Sequence, residues 1–484
     1  MKKPFPLISP KTLPVLDPDF KPAVLCNRAF LKAVDDSGAG VPLLIAVERD
    51  NGKVSRFDTR CFDPRHPSAV ANFFYIERLV KFLLWQFGGW RVIIHGPEEL
   101  VHYLQCCYAD TGIRQFDAQF WGDFTYQHEM TIVHAPTPQD VPAENNGASS
   151  AVKLDWTGWR IGFDLGASDR KVAVVKDGKL ALDKNGEPLL SDEFVWDPKP
   201  QTDIRYHYDN INWILRKAEE VIRKADPNAR VQAIGGSSAG VYVDGRARNV
   251  SMFRGITPRE RFDKEAAPIF KNLAKEWGIP FRVENDGDVT ALAGAISLQD
   301  GAVLGIAMGS SLAAGYVSDD RSITGWMNEL AFAPVDYNPA AAVDEWSRDF
   351  GVGANYFSQQ AVARLIPLAG IEMPDIPAEA FPLRLKRVQE LMANNDARAR
   401  KIYETIGVYF GYTIANYCEF YKGVRHLEVL GRVVSGEGGK IILDKARDVL
   451  DHEFPEFSSI HFYEPDEREK RHGQAAAAAS LPLV

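Results

Sequence analysis

Residues 161–175 place a carboxylate beside a turn of small residues, a combination that can bind a phosphate group. The run Ile161–Val175 contains two apolar stretches joined by a small-residue turn, which predicts a β-hairpin. Gly166, Ala167 and Ser168 would bring backbone N–H groups and a hydroxyl close to a phosphate. Asp164 would hold a hydrated Mg²⁺ beside that phosphate. The same residues also fit an ordinary hairpin with a polar turn.

A second carboxylate, Asp286, lies between a predicted strand over Pro280–Glu284 and a predicted helix over Asp288–Ile296. Open α/β sheets bind their ligands at the carboxyl ends of strands, so Asn285 and Asp286 are candidate ligand contacts. The competing interpretation is that Asp286 or Asp288 only caps the helix.

A second hairpin with the same layout is predicted over residues 302–317, where Gly309, Ser310 and Ser311 form the small-residue turn. Two such hairpins about 140 residues apart suggest an internal duplication. Their turns could hold the phosphates of a nucleotide from two sides.

Two further loops rich in Gly and Ser follow predicted strands. The first, residues 234–245, contains Ser238 as a candidate ligand contact, and the second, residues 426–439, contains Gly431 and Ser435. Loops of this composition are also common turns, so each is weak evidence alone.

Strands and helices alternate from about residue 156, which predicts α/β domains. We expect an N-terminal α/β domain over 1–134, a Pro- and Ser-rich linker over 135–155, and two larger domains over 156–300 and 301–484. The predicted helices are Tyr208–Lys224, Pro268–Trp277, Asp288–Ile296, Asp396–Tyr421 and Gly439–Asp451; the predicted strands are Val231–Gly235, Pro280–Glu284, Ala302–Met308 and His426–Leu430.

The N-terminal block has its own pattern. An Asn51-Gly52 turn predicts a hairpin, Phe73–Phe87 carries apolar residues at helical spacing, and a strand and a helix follow over 90–96 and 97–108. The block contains no helix-turn-helix pattern. Its role stays open between a cap, a dimer element and a separate binding module.

Composition narrows the function classes. The 484 residues carry a net charge of −9, which disfavours nucleic acid as a partner. The start has no apolar h-region, and no window is long enough to span a membrane. Five cysteines without a CxxC pair favour reduced thiols in the cytoplasm. Scattered histidines make a catalytic zinc site improbable.

Taken in order, these motifs resemble the ROK sugar kinases, which belong to the actin-like and hexokinase-like superfamily. Residues 161–175 and 305–315 are similar to its two phosphate loops, and residues 427–439 to its adenosine loop. Asn285-Asp286 matches its Asn-Asp pair, Glu329 its substrate-binding Glu, and residues 473–477 its last helix. The resemblance covers about 156–484.

The resemblance implies an α/β fold with two actin-like (ribonuclease H-like) domains around a nucleotide and sugar cleft, beside the small N-terminal α/β domain. It implies ATP-dependent phosphorylation of a sugar, with ATP and Mg²⁺ as cofactors and a homodimeric assembly. Asp286 would be the catalytic base, Asn285 and Glu329 would bind the sugar, and Asp164 would hold Mg²⁺ through water. Phosphates would bind at the two small-residue turns, and the nucleoside at Gly431 and Ser435.

Two departures from the family pattern stand out. Phe332 occupies the position of a His, and the cysteines of the structural zinc loop are missing as well, so no zinc site is expected. The second phosphate turn, Gly309–Gly315, keeps only its outer glycines. Two alternatives therefore remain beside the kinase: a sensor that binds sugar or nucleotide without turnover, and a transcriptional regulator.

Overall fold

Helices and strands alternate through the part of the chain that the computed structural model describes, residues 4–146, 157–166 and 168–483. The chain divides into two units. The first comprises Met1–Ala148, Ala307–Ala313 and Gly325–Phe462; the second comprises Ser149–Ile306, Ala314–Thr324 and Tyr463–Val484. The N-terminal block thus groups with most of the last 160 residues.

The N-terminal part of the first unit is a four-stranded sheet in the order β2-β1-β3-β4. Asn51 and Gly52 adopt left-handed φ values of 60° and 67°, which lets the chain turn from β1 into β2. The strands and helices are α1 (Ala23–Asp36), β1 (Gly40–Glu48), β2 (Val54–Phe62), α2 (Ala71–Phe87), β3 (Arg91–His95), α3 (Glu98–Cys107), α4 (Gln115–Ala118), which continues as a π-helix (Gln119–Tyr126), and β4 (Thr131–His134).

The described part of the predicted linker, residues 135–146, contains a short 3₁₀ turn, Pro138–Asp140. Asn145 exchanges two backbone hydrogen bonds with Val54 at the start of β2, with N···O distances of 2.6 and 2.8 Å. This stretch therefore lies along the sheet. Residues 147–155 of the predicted linker lie outside the described residues.

The second unit is built on a sheet in the order β12-β9-β5-β6-β7, with β8 also paired to β6. Its core is apolar and includes the buried Ile161, Phe163, Ile214 and Phe270. Its strands and helices are β5 (Trp159–Leu165), β6 (Asp169–Lys176), β7 (Lys179–Leu180), β8 (Ser191–Val195), α5 (Ile204–Ala225), β9 (Val231–Ser238), β10 (Val241–Val243), β11 (Arg246–Asn249), α6 (Arg259–Arg261), α7 (Ile269–Trp277), β12 (Phe281–Asn285) and α8 (Asp286–Leu298).

The second predicted hairpin forms as β13 (Val303–Met308) and β14 (Leu312–Val317), in a sheet ordered β14-β13-β15-β16. The remaining strands and helices are α9 (Gln359–Leu368), α10 (Phe381–Ala393), α11 (Ala397–Phe420), β15 (His426–Leu430), α12 (Gly436–Glu453), β16 (His461–Tyr463) and α13 (Glu467–Ala478). Gly407 and Gly411 let α11 approach α12 closely, because a Cβ at either would lie 2.6 Å from a side chain of α12.

Helix α13 packs backbone against backbone on the sheet of the second unit. A Cβ on Gly162 would lie 1.8 Å from the carbonyl oxygen of Ala475, and a Cβ on Gly235 would lie 1.7 Å from that of Ala478. Only glycine fits at these two strand positions. The close approach fixes the C-terminal part of α13, which contains Gln474, against β5 and β9.

The α/β class predicted from the sequence is confirmed, and each predicted helix and strand is present with its ends shifted by a few residues at most. The largest shifts are at the starts of α5 and α12 and the end of β9. In the described residues, no helix has the length and apolar character needed to cross a membrane.

Candidate functional site

Asp164 lies near the carboxyl end of β5, where the neighbouring strand β9 brings Ser237 beside it. The two residues are register partners in a parallel pair, so their side chains share one face of the sheet. The Ser237 hydroxyl donates a 2.7 Å hydrogen bond to Oδ1 of Asp164. Gln474 of α13 donates from Nε2 to the Ser237 oxygen at 3.0 Å. Asp164 is only 7% exposed, so this network fixes a buried carboxylate.

Asp286 is the first residue of α8, directly after β12. Burial, and next the negative charge of Asp164, raise the pKa of Asp286 to about 6. Burial also raises the pKa of Asp164, an effect that Lys171 partly offsets. The charge of one carboxylate, Asp164, thus affects the protonation of another, Asp286, an arrangement that is typical of functional sites.

Asn285 caps helix α8. Its Oδ1 accepts a 2.7 Å hydrogen bond from the backbone N–H of Gly287, and its Nδ2 donates to the carbonyl oxygen of Gly240 at 2.8 Å. The sequence left Asp286 and Asp288 as candidates for the N-cap of α8, and the structure shows that Asn285 is the N-cap. Because the cap fixes the first turn of α8, it also fixes Asp286.

A reciprocal glycine contact holds the same helix turn. A Cβ on Gly287 would lie 2.1 Å from the carbonyl oxygen of Ala314, and a Cβ on Gly315 would lie 2.1 Å from that of Gly287. The first turn of α8 thus touches the backbone of β14 directly. In the sequence, Gly315 is an outer glycine of the second phosphate turn. In the structure, its lack of a side chain lets β14 pack against the first turn of α8.

The turn between β5 and β6 is the first predicted phosphate loop. The Gly166 N–H donates to the carbonyl oxygen of Asp169 at 2.9 Å, and the indole of Trp196 donates to the Gly166 carbonyl at 3.0 Å. Ser168 is exposed and its hydroxyl donates to Oδ2 of Asp169 at 3.2 Å. Ala167 lies outside the described residues.

The second predicted phosphate loop is a three-residue turn in the first unit. The Gly309 N–H donates to the carbonyl oxygen of Ser311 at 2.9 Å, and the Gln359 N–H donates to the Gly309 carbonyl at 2.9 Å. Ser310 and Ser311 are both exposed. A Cβ on Gly309 would meet only the Ser311 oxygen, at 3.8 Å, so the turn has steric room.

The predicted adenosine loop follows β15. Gly431 has a φ of 109°, and a Cβ there would lie 2.4 Å from the carbonyl oxygen of Met308. The Ser435 hydroxyl donates to the Arg432 carbonyl at 2.7 Å and accepts from Nε2 of Gln389 at 3.0 Å. Gly431 therefore lies against the end of β13, beside the turn that contains Gly309.

Glu329 is half-buried in the first unit and precedes a short 3₁₀ turn, Leu330–Phe332. Phe332, which replaces the family's His, packs its ring against Trp85 of α2 at a centroid distance of 4.6 Å. An aromatic contact thus occupies the position where the family places a metal ligand.

Asp164, Ser238 and Asn285 lie at the ends of the neighbouring strands β5, β9 and β12, and Asp286 follows directly. The sequence did not indicate three further residues beside them: Ser237, Gln474 and Tyr242, whose hydroxyl donates to Ser238 at 2.7 Å. Gln474 also donates to the Asp286 carbonyl oxygen at 3.0 Å. Ser237 could have been found from strand alternation, since it and Asp164 end neighbouring strands. Nothing in the sequence indicates the hydrogen bonds of Gln474.

No group of three or more His, Cys, Asp or Glu side chains suited to a metal ion occurs among the described residues. A magnesium ion that keeps most of its waters needs only one or two carboxylate oxygens from the protein. The buried, oxygen-only donor set of Asp164, with Asp286 nearby, fits that requirement.

No protein-family model matches the chain, and no curated protein matches its sequence. Solved structures match in fold. A ROK hexokinase from Thermus thermophilus is 17% identical with a TM-score of 0.48, over 66% of this chain and 97% of that one. A ROK family glucokinase from Streptomyces griseus, solved with glucose and AMPPNP, is 18% identical with a TM-score of 0.46, over 67% and 99%.

A ROK family transcriptional regulator, a homologue of the E. coli MLC protein, is 16% identical with a TM-score of 0.51, over 67% of this chain and 78% of that one. At identities this low, the likeness concerns the fold alone. It rests on the regulator, whose TM-score is above 0.5. Over 67% of its length, the chain therefore shares the α/β fold of this ROK family regulator, in agreement with the resemblance seen in the sequence. Because a likeness in fold does not establish an activity, the activity must be argued from the site.

Proposed function

We propose that this protein is an ATP-dependent sugar kinase that uses Asp286 as its catalytic base. The observation that carries the proposal is the raised pKa of Asp286, about 6, beside a second buried carboxylate. A base with a pKa just below neutral is ionised at pH 7 and still binds a proton well in the transition state.

In the proposed reaction, the sugar hydroxyl oxygen attacks the γ-phosphorus of ATP. The new O–P bond forms, the bond to the β-phosphate oxygen breaks, and ADP leaves. Asp286 accepts the hydroxyl proton. Phosphoryl transfer depends mainly on positioning and charge neutralisation, which Mg²⁺ supplies when Asp164 holds it through water. Ser237 and Gln474 would keep Asp164 oriented.

Fewer residues would orient the sugar than the family resemblance implies. Glu329 would hydrogen-bond a neighbouring sugar hydroxyl. Asn285 has Oδ1 and one amide donor engaged in the helix cap, so we assign it mainly to holding Asp286 in place and leave one amide hydrogen for the sugar. Ser238 would contribute through its hydroxyl, which already accepts from Tyr242.

Phosphate binding would use the two turns. In the first turn Ser168 would offer its N–H and its hydroxyl, and in the second turn Ser310 and Ser311 would do the same, since the Gly166 and Gly309 N–H groups already donate to carbonyl oxygens. Gly431 and Ser435 would line the nucleoside site.

A sensor without turnover is the second candidate. The likeness in fold to a ROK regulator favours it, because the same fold there belongs to a regulatory protein. The two candidates differ in one observable property: a kinase releases ADP only when its sugar is present, whereas a sensor binds without releasing ADP.

The proposal is tested by coupled ADP release with ATP and Mg²⁺ over hexoses, amino sugars and polyols. The variants are Asp286→Asn and, as a matched control, Asp209→Asn, which removes an exposed carboxylate from α5. We expect sugar-dependent turnover that falls by about a hundredfold to ten-thousandfold in Asp286→Asn, because the proton acceptor is lost, and stays near wild type in Asp209→Asn.

Two results would contradict the proposal. Sugar-dependent turnover that survives in Asp286→Asn would remove Asp286 as the base. Calorimetric binding of a sugar or of ATP without any ADP release would replace the kinase with the sensor.

A further inference from the structure

Helix α2 carries charged side chains into the interior of the first unit. Arg78 and Lys81 have fully buried side chains, and Glu77 is 5% exposed. Such groups are costly to bury unless they are paired. The residues that pair with these charges therefore show which parts of the chain α2 is packed against.

Three basic side chains share the carboxylate of Asp349 as their partner. Nitrogen atoms of Arg78, Arg114 and Lys81 lie 3.1, 2.9 and 3.4 Å from its Oδ2. The cluster is completed by two more buried carboxylates, Glu77 and Asp117, which pair with Arg78 and Lys81 at 2.7 and 2.8 Å. Three acids thus balance three bases, and the loop that contains Asp349 is held against α2.

The end of α2 contacts residues 328–332, which contain Glu329 and are called the substrate segment here. The Asn328 N–H donates to the Gln86 carbonyl oxygen at 2.9 Å. The Phe332 ring packs on Trp85 at 4.6 Å and on Phe116 at 5.3 Å. Contacts from α2 and α4 therefore hold both ends of the substrate segment.

The Asp349 loop supports the substrate segment as well. The Gly353 N–H donates to the carbonyl oxygen of Ala333 at 3.0 Å, directly after the segment. A Cβ on Gly353 would lie 2.6 Å from the Leu330 carbonyl oxygen, so the two backbones touch. The charge cluster and the aromatic contacts therefore support one stretch of chain through two separate connections.

We propose that α2 is the positioning element of the substrate segment, and that the N-terminal part of the chain in this way determines how well the sugar binds. The inference rests on the proposed function, because it assumes that Glu329 binds the sugar. Trp85 and Gln86 are positioning residues: they contact the segment and need not contact the substrate. The role differs from a cap, a dimer element or a separate binding module.

The test compares Trp85→Leu with Trp85→Phe and with Phe30→Leu. Phe30 is a matched control, since it is a fully buried aromatic residue that packs on Phe5, on Phe62 and, near the start of α2, on Tyr75, away from the end of α2 that contacts the substrate segment. The measurements are KM for the sugar, KM for ATP, and hydrogen exchange at the Asn328 amide. Phe332→Leu is a second, milder variant, because Phe332 is only half-buried.

We expect Trp85→Leu to raise KM for the sugar by about tenfold to a hundredfold while KM for ATP stays near wild type, since a misplaced binding group loses mainly its own contact. Exchange at the Asn328 amide should speed up, and Trp85→Phe should restore both values. Phe30→Leu should change neither.

The positioning role is overturned if Trp85→Leu and Phe30→Leu behave alike, or if both KM values rise together. Hydrogen exchange separates this inference from the kinase proposal. If no sugar is phosphorylated and exchange at Asn328 still rises only in Trp85→Leu and Phe332→Leu, α2 holds the segment and the kinase proposal alone fails.

Discussion

The roles that we propose for substrate binding and for catalysis fall to two regions of the molecule, and these regions are built in opposite ways. The carboxylate pair of Asp164 and Asp286 is fixed by residues close to it on strands and a helix of the second unit, through Ser237 and the Asn285 cap. The substrate segment around Glu329 is irregular chain, held by the Trp85 ring and the Gln86 carbonyl group, which lie about 250 residues earlier in the sequence.

The two regions also differ in how they compare with the ROK sequence pattern. Asp164, Asn285 and Asp286, which are placed by strand ends and a helix start, all match it. In the substrate segment, Glu329 matches the pattern and Phe332, which packs on the N-terminal part of the chain, departs from it. The comparison predicts that damage to the two regions will have different consequences, which the following variants examine in order of decreasing effect.

Asp349→Asn should have the largest effect on stability. It would leave Arg78, Lys81 and Arg114 with too little negative charge in a buried place, at a cost of about 3–5 kcal/mol in the free energy of unfolding. Urea denaturation measures the cost. Asp36→Asn is the control, because Asp36 pairs with Lys32 on the surface and is worth about 0.5 kcal/mol or less. Equal losses in the two variants would show that the cluster does not support the loop.

Gly235→Ala should cost about 1–3 kcal/mol, since its Cβ would displace the backbone of α13. The control is Gly309→Ala, where a Cβ has room and the free energy of unfolding should stay near wild type. If both variants unfold at the same urea concentration, the close approach of α13 to β9 is not the feature that fixes Gln474.

Asp286→Asn should stabilise the protein at pH 7.5. The pKa of Asp286 is raised to about 6 in the folded state, so the folded chain bears an ionised, partly buried carboxylate above that pH and gains stability as pH falls through 6. The Asn variant lacks this penalty. Its advantage in melting temperature over wild type should therefore shrink between pH 7.5 and pH 5. An advantage that grows on acidification would mean that the pKa is lowered instead.

The strands and turns of the carboxylate region could be predicted from sequence because the signals are local. An apolar run, an Asp and a turn of Gly, Ala and Ser specify the β5–β6 hairpin without reference to any other part of the chain. The same holds for Asp286, which follows a strand and begins a helix. Only the choice of cap was open, and Asn285 takes that role through its side-chain oxygen.

The support of the substrate segment could not be predicted, because it depends on pairs far apart in the chain. From the sequence alone, the charged residues of α2 would be interpreted as a solvent-exposed stripe. Only the structure shows that Glu77, Arg78 and Lys81 are buried next to Asp349. Phe332 could be recognised as a departure from the family, and its contact with Trp85 could not. Ser237 lies between these cases, since strand register alone pairs it with Asp164.

The most direct test of the central claim is the pH dependence of sugar-dependent ADP release. The wild-type rate should fall as the pH is lowered through about 6, because Asp286 must be ionised to accept the proton. In the activity that Asp164→Asn retains, this fall in rate should occur at lower pH. The reason is that removing the neighbouring negative charge lowers the pKa of Asp286. A rate that is flat between pH 5 and pH 8, or a fall in rate that stays at the same pH in Asp164→Asn, would contradict the account.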